Sequence, residues 1–247
     1  IEIHHDGDLP KMTGLGTSSS FTVGLLHALH ALRGEFRSRM QLAEEAIHIE
    51  RDRCGDRVGS QDQVCAAFGG LNHIRFAPDD AIAVQPVSLP AGRLQDFQDS
   101  LLLFFTGFSR RSTDVVAEQL DNLPRKTREL SKMAAMVEDG LRILTGTGDL
   151  GDFGRLLHES WQLKRSLSSR VSTPDIDAMY EAARRAGALG GKITGAGGGG
   201  FLLLYVQPDR RPAVRKALSH LLHVPFDLDH AGSQVIFSNP VPLEAAP

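Results

Sequence analysis

The spacing of apolar residues predicts two amphipathic helices near the start of the chain. Over residues 17–32 the apolar side chains recur three and four positions apart and share one helical face: Phe21, Leu25, Ala28, Leu29 and Leu32. Ser38 and Gln41 have the spacing of a capping box, which predicts where a second helix begins. The apolar stripe of that second helix is Leu42, Ala43, Ala46, Ile47 and Ile49.

The rest of the chain mixes strand and helix patterns. In order, these predict a short helix near residue 60, strands near 71–76 and 82–87, a strand over 101–106, a helical region over 112–145, helices over 150–168 and 173–187, strands near 190–194 and 201–206, a helix over 208–222, and strands near 224–229 and 233–237. The opening residues, Ile-Glu-Ile-His-His, also have a strand pattern. Since strands and helices do not alternate strictly, we predict an α+β fold, with mixed sheets and helices packed on them.

A domain boundary is predicted between residues 86 and 92, where two prolines and a glycine fall close together. The prediction is an N-terminal domain over residues 1–90 and a C-terminal domain over residues 91–247. Because the chain opens on a strand pattern, we expect the first domain to lack its beginning. The tail from Asn239 is expected to be disordered.

Composition narrows the classes of partner. Of the 247 residues 41% are hydrophobic, which is enough for one large or two modest cores, and the net charge of -3 argues against a nucleic-acid or anionic membrane surface. The longest apolar runs are strand-sized, and no signal peptide appears, so we expect no membrane span. Cys54 and Cys65 have neither a disulfide nor a zinc pattern, and we expect them to be reduced, buried and cytoplasmic.

A segment rich in glycine and hydroxyl residues leads into the first predicted helix. Residues 10–20 read Pro-Lys-Met-Thr-Gly-Leu-Gly-Thr-Ser-Ser-Ser. Glycines let the backbone approach a ligand closely, and the unpaired N–H groups of a helix start favour an anion such as phosphate. The segment is not a Walker A loop, because the Gly-Lys-Ser/Thr ending is absent. The alternative is that Thr17 and Ser18 only cap the helix.

Glu50 falls on the apolar face of the second predicted helix, four residues after Ala46, whereas Glu44 and His48 face outward. A carboxylate turned toward a core is costly unless it is paired or binds a metal. Magnesium accepts carboxylate and hydroxyl oxygens, so Glu50 and Ser18 form a chemically sensible pair of ligands. The alternative is a Glu50 that bonds a neighbouring arginine such as Arg51 or Arg53.

A second glycine-rich segment, residues 192–201, lies between two predicted strands and reads Lys-Ile-Thr-Gly-Ala-Gly-Gly-Gly-Gly-Phe. Four consecutive glycines are expensive to order, so a closely approached ligand explains them better than a simple turn. The alternative is a bulged hairpin.

In this order and at these separations, the segments resemble the motifs of the GHMP kinases, the superfamily of galactokinase, homoserine kinase and mevalonate kinase. The resemblance implies a two-domain GHMP kinase fold with ATP and Mg²⁺ as cofactors. It implies that Ser18 and Glu50 bind the magnesium. The residues that it places on the phosphates of ATP are Gly14, Leu15, Gly16, Thr17, Ser18, Ser19, Ser20, Gly195, Gly197 and Gly198.

The resemblance also supplies a candidate base. Residues 59–63, Gly-Ser-Gln-Asp-Gln, are similar to the family's segment with the catalytic aspartate. A carboxylate aimed at the acceptor oxygen can take its proton as that oxygen attacks phosphorus, so Asp62 is the candidate. Thr194 would then face the transferring phosphoryl group. Without the family, Asp62 reads more simply as a helix cap.

Four segments are more similar to the bacterial D-glycero-D-manno-heptose 7-phosphate kinases than to other branches: residues 14–29, 59–72, 156–168 and 187–201. That resemblance implies phosphorylation of the anomeric hydroxyl to the 1,7-bisphosphate, on the way to nucleotide-activated heptose for surface polysaccharide. Two alternatives stay open: a kinase for galactose, fucose or mannose, and a non-catalytic regulator. The family's first motif and its adenine-pocket strands are missing from this sequence, and we expect a truncation.

Other basic residues are weaker candidates for binding a sugar phosphate: Arg110 with Arg111, and Lys164 with Arg165. Helix charges are more often only solvated. His27 and His30 have helical spacing but no third metal ligand, so we expect surface histidines. The expected partners are ATP and a small sugar phosphate, with no nucleic acid and no membrane, and homodimer formation is left open.

Overall fold

A computed structural model describes residues 1–9, 13–56, 59–108 and 112–238, and for residues 112–114 the backbone alone. Within these ranges the chain forms two compact units. The first unit contains residues 1–9, 16–70 and 229–238, and the second contains residues 13–15 and 71–228. Residues 71–90 thus lie in the same unit as most of the later chain, and the division into family domains near residue 90 stays a prediction.

The first unit is built from helices. They are α1 (Thr17–Leu32), α2 (Arg39–His48), a π-helical turn (Ile49–Arg53) and α3 (Gln61–Phe68). The predicted capping box is confirmed, because Ser38 Oγ accepts a hydrogen bond from the Gln41 backbone N–H at 3.2 Å and the Gln41 side chain accepts one from the Ser38 N–H at 2.9 Å. Helix α3 packs on both α1 and α2. The apolar residues buried between these helices are Val23, Leu26, Leu42, Ala43, Ala46, Val64 and Ala67.

The predicted inner face of α1 is wrong. Phe21 and Leu32 are 39% and 51% exposed, and the buried face instead carries Ser19, Val23, Leu26 and His30. Ser19 and His30 are polar, but both bond carboxylates of the same unit, so burying them leaves no unpaired group. A pattern of apolar residues therefore pointed to the wrong side of the helix.

The second unit contains two antiparallel sheets. A hairpin joins β1 (Asn72–Phe76) to β2 (Ile82–Pro86), and a four-stranded sheet has the order β4-β5-β3-β6. Its strands are β3 (Leu101–Phe105), β4 (Gly190–Ile193), β5 (Phe201–Tyr205) and β6 (Leu222–Val224). The unit's helices are α4 (Ala91–Asp99), α5 (Ser112–Asn122), α6 (Thr127–Thr145), α7 (Gly151–Arg165), α8 (Pro174–Arg185) and α9 (Arg211–Ala217), with 3₁₀ turns at Leu123–Arg125 and Pro208–Arg210.

Helix α7 lies unusually close to strand β4, and glycines permit the approach. A β-carbon at Gly190 would lie 1.9 Å from the Gly154 carbonyl oxygen, and one at Gly154 would lie 2.6 Å from the Tyr205 ring. The sheet and helices around this contact enclose a core that includes Phe104, Trp161 and Tyr180. The close contact fixes the first turns of α7 against the start of β4.

Several end regions differ from their predictions. The predicted helix over 208–222 is shorter, since α9 ends at Ala217 and Leu218 leaves helical geometry. The strand predicted near 224–229 is instead β6, Leu222–Val224. It ends at Val224, because Pro225 follows and cannot donate a ladder hydrogen bond. Residues 233–237 form no strand: Ile236 and Phe237 are 94% and 82% exposed. The predicted disordered tail from residue 239 lies outside the described residues.

Residues 1–5, whose pattern predicted a strand, form no strand in the structure. Cys54 and Cys65 are free, as expected, but exposed rather than buried. No helix among the described residues is long and apolar enough to cross a membrane. The α+β class itself is confirmed.

Candidate functional site

The first glycine segment turns sharply into α1. Gly14 and Gly16 have φ angles of 75° and 69°, a left-handed conformation that side chains rarely adopt. Gly16 occupies the N-cap position of α1, and no side chain caps the helix there. The hydroxyl groups of Thr17 and Ser18 are thus not used as the N-cap, which removes the simpler alternative for them.

Glu50 is the centre of a buried cluster of hydroxyl groups in the first unit. Its side chain is 4% exposed, and its two carboxylate oxygens accept hydrogen bonds from Ser18 Oγ at 3.1 Å, Ser19 Oγ at 2.9 Å and Thr22 Oγ1 at 3.1 Å. The Gln63 side-chain amide donates a further bond to Glu50. We call Glu50 with these four partners the carboxylate cluster.

The carboxylate cluster contains no basic side chain among the described residues. Arg51 donates instead to Ser60 Oγ at 3.4 Å, and Arg53 donates to His48, so the predicted alternative of a Glu50–arginine bond is wrong. Neutral donors solvate a carboxylate but leave its negative charge uncompensated. A cation would complete the cluster.

A π-helical turn delivers Glu50 to this position. The Cys54 N–H bonds the Ile49 carbonyl at 2.9 Å, five residues back, which widens the helix at the residue where the carboxylate must point inward. Such widened turns occur frequently at functional sites. The helical spacing that placed Glu50 on the buried face of its helix is confirmed.

The donor set of the carboxylate cluster fits magnesium. Mg²⁺ binds hard oxygen ligands at about 2.0–2.1 Å in an octahedron, whose adjacent ligands lie about 2.9 Å apart. Ser18 Oγ and the nearer oxygen of Glu50 lie 3.1 Å apart, which is close to that edge. Within the described ranges no group of three His, Cys, Asp or Glu side chains could hold a metal, so an ion here would need phosphate or water oxygens to complete its shell.

Asp62 lies in the first turn of α3, beside Gly16. A β-carbon built on Gly16 would be 3.1 Å from the Asp62 Cβ and 3.3 Å from its Oδ2. The N-cap position of α3 belongs to Ser60, not to Asp62. The first unit therefore brings the two predicted carboxylates to the same end of α1, Glu50 against Ser18 and Asp62 against Gly16.

In the second unit, the two glycine segments touch each other. A β-carbon at Gly14 would lie 2.9 Å from the Thr194 carbonyl oxygen, one at Gly195 would lie 2.8 Å from the Gly14 Cα, and one at Gly200 would lie 2.1 Å from the Thr13 carbonyl oxygen. All of these neighbours are backbone atoms, which cannot move aside like the end of a side chain. We call this set of approaches the glycine contact.

Other glycines of the second segment also approach protein backbone. A β-carbon at Gly197 would lie 2.6 Å from the Val171 carbonyl oxygen, and one at Gly199 would lie 2.9 Å from that of Phe108. Gly198 donates its N–H to the Val171 carbonyl at 2.8 Å. The glycine run is thus explained by the packing of this loop on the protein itself, whereas its role toward a nucleotide stays a prediction.

Lys164 and Arg165, two of the weaker candidates for binding a sugar phosphate, have different partners in the structure. Arg165 forms an ion pair with Asp177 at 2.7 Å, whereas the Lys164 ammonium donates to the Gly195 carbonyl oxygen. Burial, and secondarily the positive charge of Lys192, lower the pKa of Lys164 from 10.5 to about 7. The remaining pair, Arg110 and Arg111, lies outside the described residues.

The two histidines of α1 behave differently from each other. His27 bonds Ser233 at 2.9 Å in a partly buried position. His30 is buried, and its two ring nitrogens lie 2.9 Å from Glu35 and 2.7 Å from Glu45. The prediction of a surface histidine is therefore wrong for His30.

Sequence reasoning singled out neither Thr22 nor Gln63, which both bond Glu50, and it assigned Ser19 to the phosphates rather than to Glu50. Thr22 follows Ser18 by four residues and so shares its helical face, a signal that was available in the sequence. Gln63 is fully buried beside the candidate base, and nothing in the local pattern distinguished it from Gln61. Its role depends on a contact with a residue thirteen positions away.

Comparisons with known proteins agree with the motifs. Residues 1–70 match the family model of the GHMP kinases N terminal domain, and residues 135–223 match that of the GHMP kinases C terminal domain. The chain is 31% identical, over 88% of its length, to a D-glycero-alpha-D-manno-heptose 7-phosphate kinase of Campylobacter jejuni, and 26% identical, over 86%, to a galactokinase of Pyrococcus furiosus. It spans 65% and 66% of those two relatives.

Solved structures agree as well. The crystal structure of a D-glycero-D-manno-heptose 1-phosphate kinase from Bacteroides thetaiotaomicron superimposes with a TM-score of 0.71 at 27% identity, covering 94% of this chain and 66% of that one. A Streptococcus pneumoniae phosphomevalonate kinase, at 19% identity and the same TM-score of 0.71, shares the fold.

Proposed function

This chain belongs to the GHMP kinases, and from that premise we propose that it transfers the γ-phosphoryl group of ATP to a hydroxyl group of a sugar phosphate. The observation that carries the proposal is the carboxylate cluster: a buried Glu50 bonded to Ser18 with no basic partner among the described side chains. A protein has little reason to maintain an uncompensated buried carboxylate unless a cation joins it.

Ser18 and Glu50 would hold the magnesium ion, which when bound neutralises charge on the phosphates of ATP. The N–H groups at the start of α1 would donate to the phosphates and add the positive end of the helix dipole. The remaining residues of the first glycine segment, Gly14 to Ser20, would orient the triphosphate. Gly195 and Gly197 would contribute further backbone donors, as the family resemblance implies, whereas the predicted Gly198 donates its N–H to the Val171 carbonyl oxygen.

Asp62 would act on the acceptor. Its carboxylate accepts the proton of the attacking hydroxyl as the oxygen bonds to phosphorus and the bond to ADP breaks. The reactants are ATP and the sugar phosphate, and the products are ADP, the sugar bisphosphate and one proton, so the atoms and charges balance. Most of the rate acceleration would come from positioning and from charge neutralisation, because phosphoryl transfer needs little covalent help from the protein.

For the acceptor we propose D-glycero-D-manno-heptose 7-phosphate, phosphorylated at the anomeric hydroxyl in the cytoplasm, on the way to nucleotide-activated heptose. The Campylobacter jejuni relative, named as a heptose 7-phosphate kinase, supports this choice at 31% identity. The Pyrococcus furiosus galactokinase keeps galactose as the second candidate.

The test is a panel of acceptors assayed for ADP release with ATP and Mg²⁺. The panel contains heptose 7-phosphate, unphosphorylated heptose, galactose, fucose and mannose. We expect ADP release with heptose 7-phosphate and at least about tenfold less with the unphosphorylated sugar, since a site built for a charged group loses a charge-assisted bond without it. Turnover with galactose alone would identify galactose, rather than the heptose phosphate, as the acceptor. Nucleotide binding without turnover on any of these sugars would contradict the proposed kinase activity.

A further inference from the structure

Lys164 lies in the last turn of helix α7, beside the loop that carries the second glycine segment. Its ammonium donates to the Gly195 carbonyl oxygen, and an ammonium has three donors. The other two have no acceptor among the described protein groups, and no described carboxylate forms an ion pair with Lys164. The neighbouring Arg165 is different, because Asp177 neutralises it at 2.7 Å.

The charge environment of Lys164 is unfavourable without a ligand. The side chain is only partly exposed, and its pKa falls to about 7 because burial disfavours the charged form and because Lys192, in strand β4, adds a second positive charge. Two lysines that repel each other beside a glycine loop form a place where an anion would be stabilising.

A hydroxyl group lies beside the same turn. The Thr194 Oγ1 is buried and has no hydrogen-bond partner, although a buried hydroxyl usually has one. Thr194 immediately precedes Gly195, to which Lys164 bonds, and its Oγ1 would be 3.4 Å from a β-carbon on Gly14. The turn at Thr194 and Gly195 therefore brings an unsatisfied hydroxyl and an incompletely bonded ammonium to the glycine contact.

We propose that Lys164 is a further substrate-binding residue of this kinase, and that its ammonium binds a phosphoryl group within the second unit, beside the Thr194 hydroxyl that the family resemblance already assigns to the phosphoryl group. A phosphoryl group supplies several acceptor oxygens and enough negative charge to offset the ammonium of Lys164. The inference rests on the proposed function for the identity of the ligand, which is a phosphate of ATP or the phosphate of the sugar.

The experiment uses the reactivity of Lys164 itself. At pH 7.5 a lysine with a lowered pKa is acetylated by trace acetic anhydride in preference to ordinary lysines, and mass spectrometry reads each lysine separately. We expect Lys164 to be modified faster than Lys216, an exposed lysine on α9 that serves as the internal control. Bound phosphate blocks the amine and restores its proton, so the ligand that occupies the site should reduce labelling of Lys164 at least about fivefold while leaving Lys216 unchanged.

Four probes identify the source of the phosphate: Mg-ATP, inorganic tripolyphosphate, heptose 7-phosphate and unphosphorylated heptose. Protection by ATP and tripolyphosphate assigns the site to the donor, and protection by heptose 7-phosphate but not heptose assigns it to the acceptor. Protection by none of them overturns the proposal and leaves Lys164 as a residue that only holds the loop.

A variant series gives a second readout. Lys164→Met should raise the KM of the protecting substrate by roughly 10–100-fold, the range for a lost bond to a charged group, with a smaller effect on kcat. Lys216→Met should change neither. Protection of Lys164 without phosphoryl transfer to any sugar would leave the site standing and refute the proposed function. Phosphoryl transfer with an unchanged KM in Lys164→Met would overturn the site alone.

Discussion

At the scale of single residues, the main feature of the carboxylate cluster is a buried Glu50 whose hydrogen bonds all come from neutral groups. Three hydroxyl groups and one amide surround Glu50 without neutralising it. Such an arrangement satisfies every hydrogen-bond requirement of the carboxylate while keeping its charge available.

Replacing Glu50 by glutamine should weaken the binding of magnesium. The amide keeps the size of the side chain but loses the charge, so we expect the Mg²⁺ concentration for half-maximal nucleotide binding to rise at least about tenfold, as for other perturbed metal sites. Nucleotide binding followed by calorimetry at varied Mg²⁺ gives the value. Glu44→Gln, at an exposed residue of the preceding helix α2, is the matched control, and equal Mg²⁺ dependence in both variants would contradict a metal role for Glu50.

Replacing Asp62 by asparagine should remove the base and leave the fold intact, because the side chain is exposed. Turnover should fall by roughly 100-fold or more while nucleotide affinity changes little. Steady-state kinetics and a binding titration on the same sample separate the two effects. Asp52→Asn, also exposed, controls for loss of surface charge. Unchanged turnover in the Asp62 variant would remove it from its role.

At the scale of elements, the glycine contact joins two loops that are about 180 residues apart in sequence. Its approaches are between backbone atoms, so the shape of the second glycine segment is set by the Thr13–Gly14 turn as much as by its own strands. Because a β-carbon at any of these positions meets backbone, substitutions there should affect folding before they affect ligand binding.

Gly200→Ala should strongly destabilise the protein. The new β-carbon would lie 2.1 Å from the Thr13 carbonyl oxygen at a residue with φ of 89°, so the loops must separate. The backbone strain alone costs about 1–3 kcal/mol. Gly92→Ala provides the control, since its β-carbon would meet nothing within 4 Å and it lies in helix α4. Urea unfolding should give a lower free energy of unfolding for Gly200→Ala than for the unchanged protein, and no decrease for Gly92→Ala. Equal free energies of unfolding in the two variants would contradict the described contact.

Lys164 should also affect stability in a pH-dependent way. Its pKa is about 7 in the folded chain and 10.5 when unperturbed, so between these values the unfolded chain holds a proton that the folded chain has released. The destabilisation by Lys164 is therefore complete below about pH 7 and disappears as the pH rises toward 10.5. Without phosphate ligands, Lys164→Met should raise Tm at pH 6 but not at pH 10.5. An equal shift of Tm at both values would contradict the lowered pKa.

At the scale of the whole molecule, the sequence predicted the elements better than the faces they bury. The continuous apolar run of β3 and the capping box at Ser38 are local signals, and both predictions are confirmed. The inner face of α1 depends on Ser19 and His30, whose burial becomes favourable only because Glu50 and Glu45 bond them. Residues 233–237 have a strand pattern, but a strand needs a neighbour that the pattern cannot supply.

The candidate residues show the same division between local and distant causes. The inward position of Glu50 follows from helical spacing, so it was predictable. The packing of Gly200 on Thr13 was not, because it joins segments from opposite ends of the chain. The local pattern around Lys164 is that of an ordinary charged helix residue, because its partner, the Gly195 carbonyl oxygen, lies 31 residues away in sequence.

The central claim is that this chain moves a phosphoryl group from ATP to a sugar phosphate hydroxyl. ³¹P NMR of the protein with Mg-ATP and heptose 7-phosphate tests it most directly. We predict that the γ-phosphate signal of ATP declines as ADP appears and that a new anomeric phosphate signal, coupled to the sugar's first proton, grows at the same rate. An ATP signal that persists, or that is lost only to inorganic phosphate, would contradict the claim.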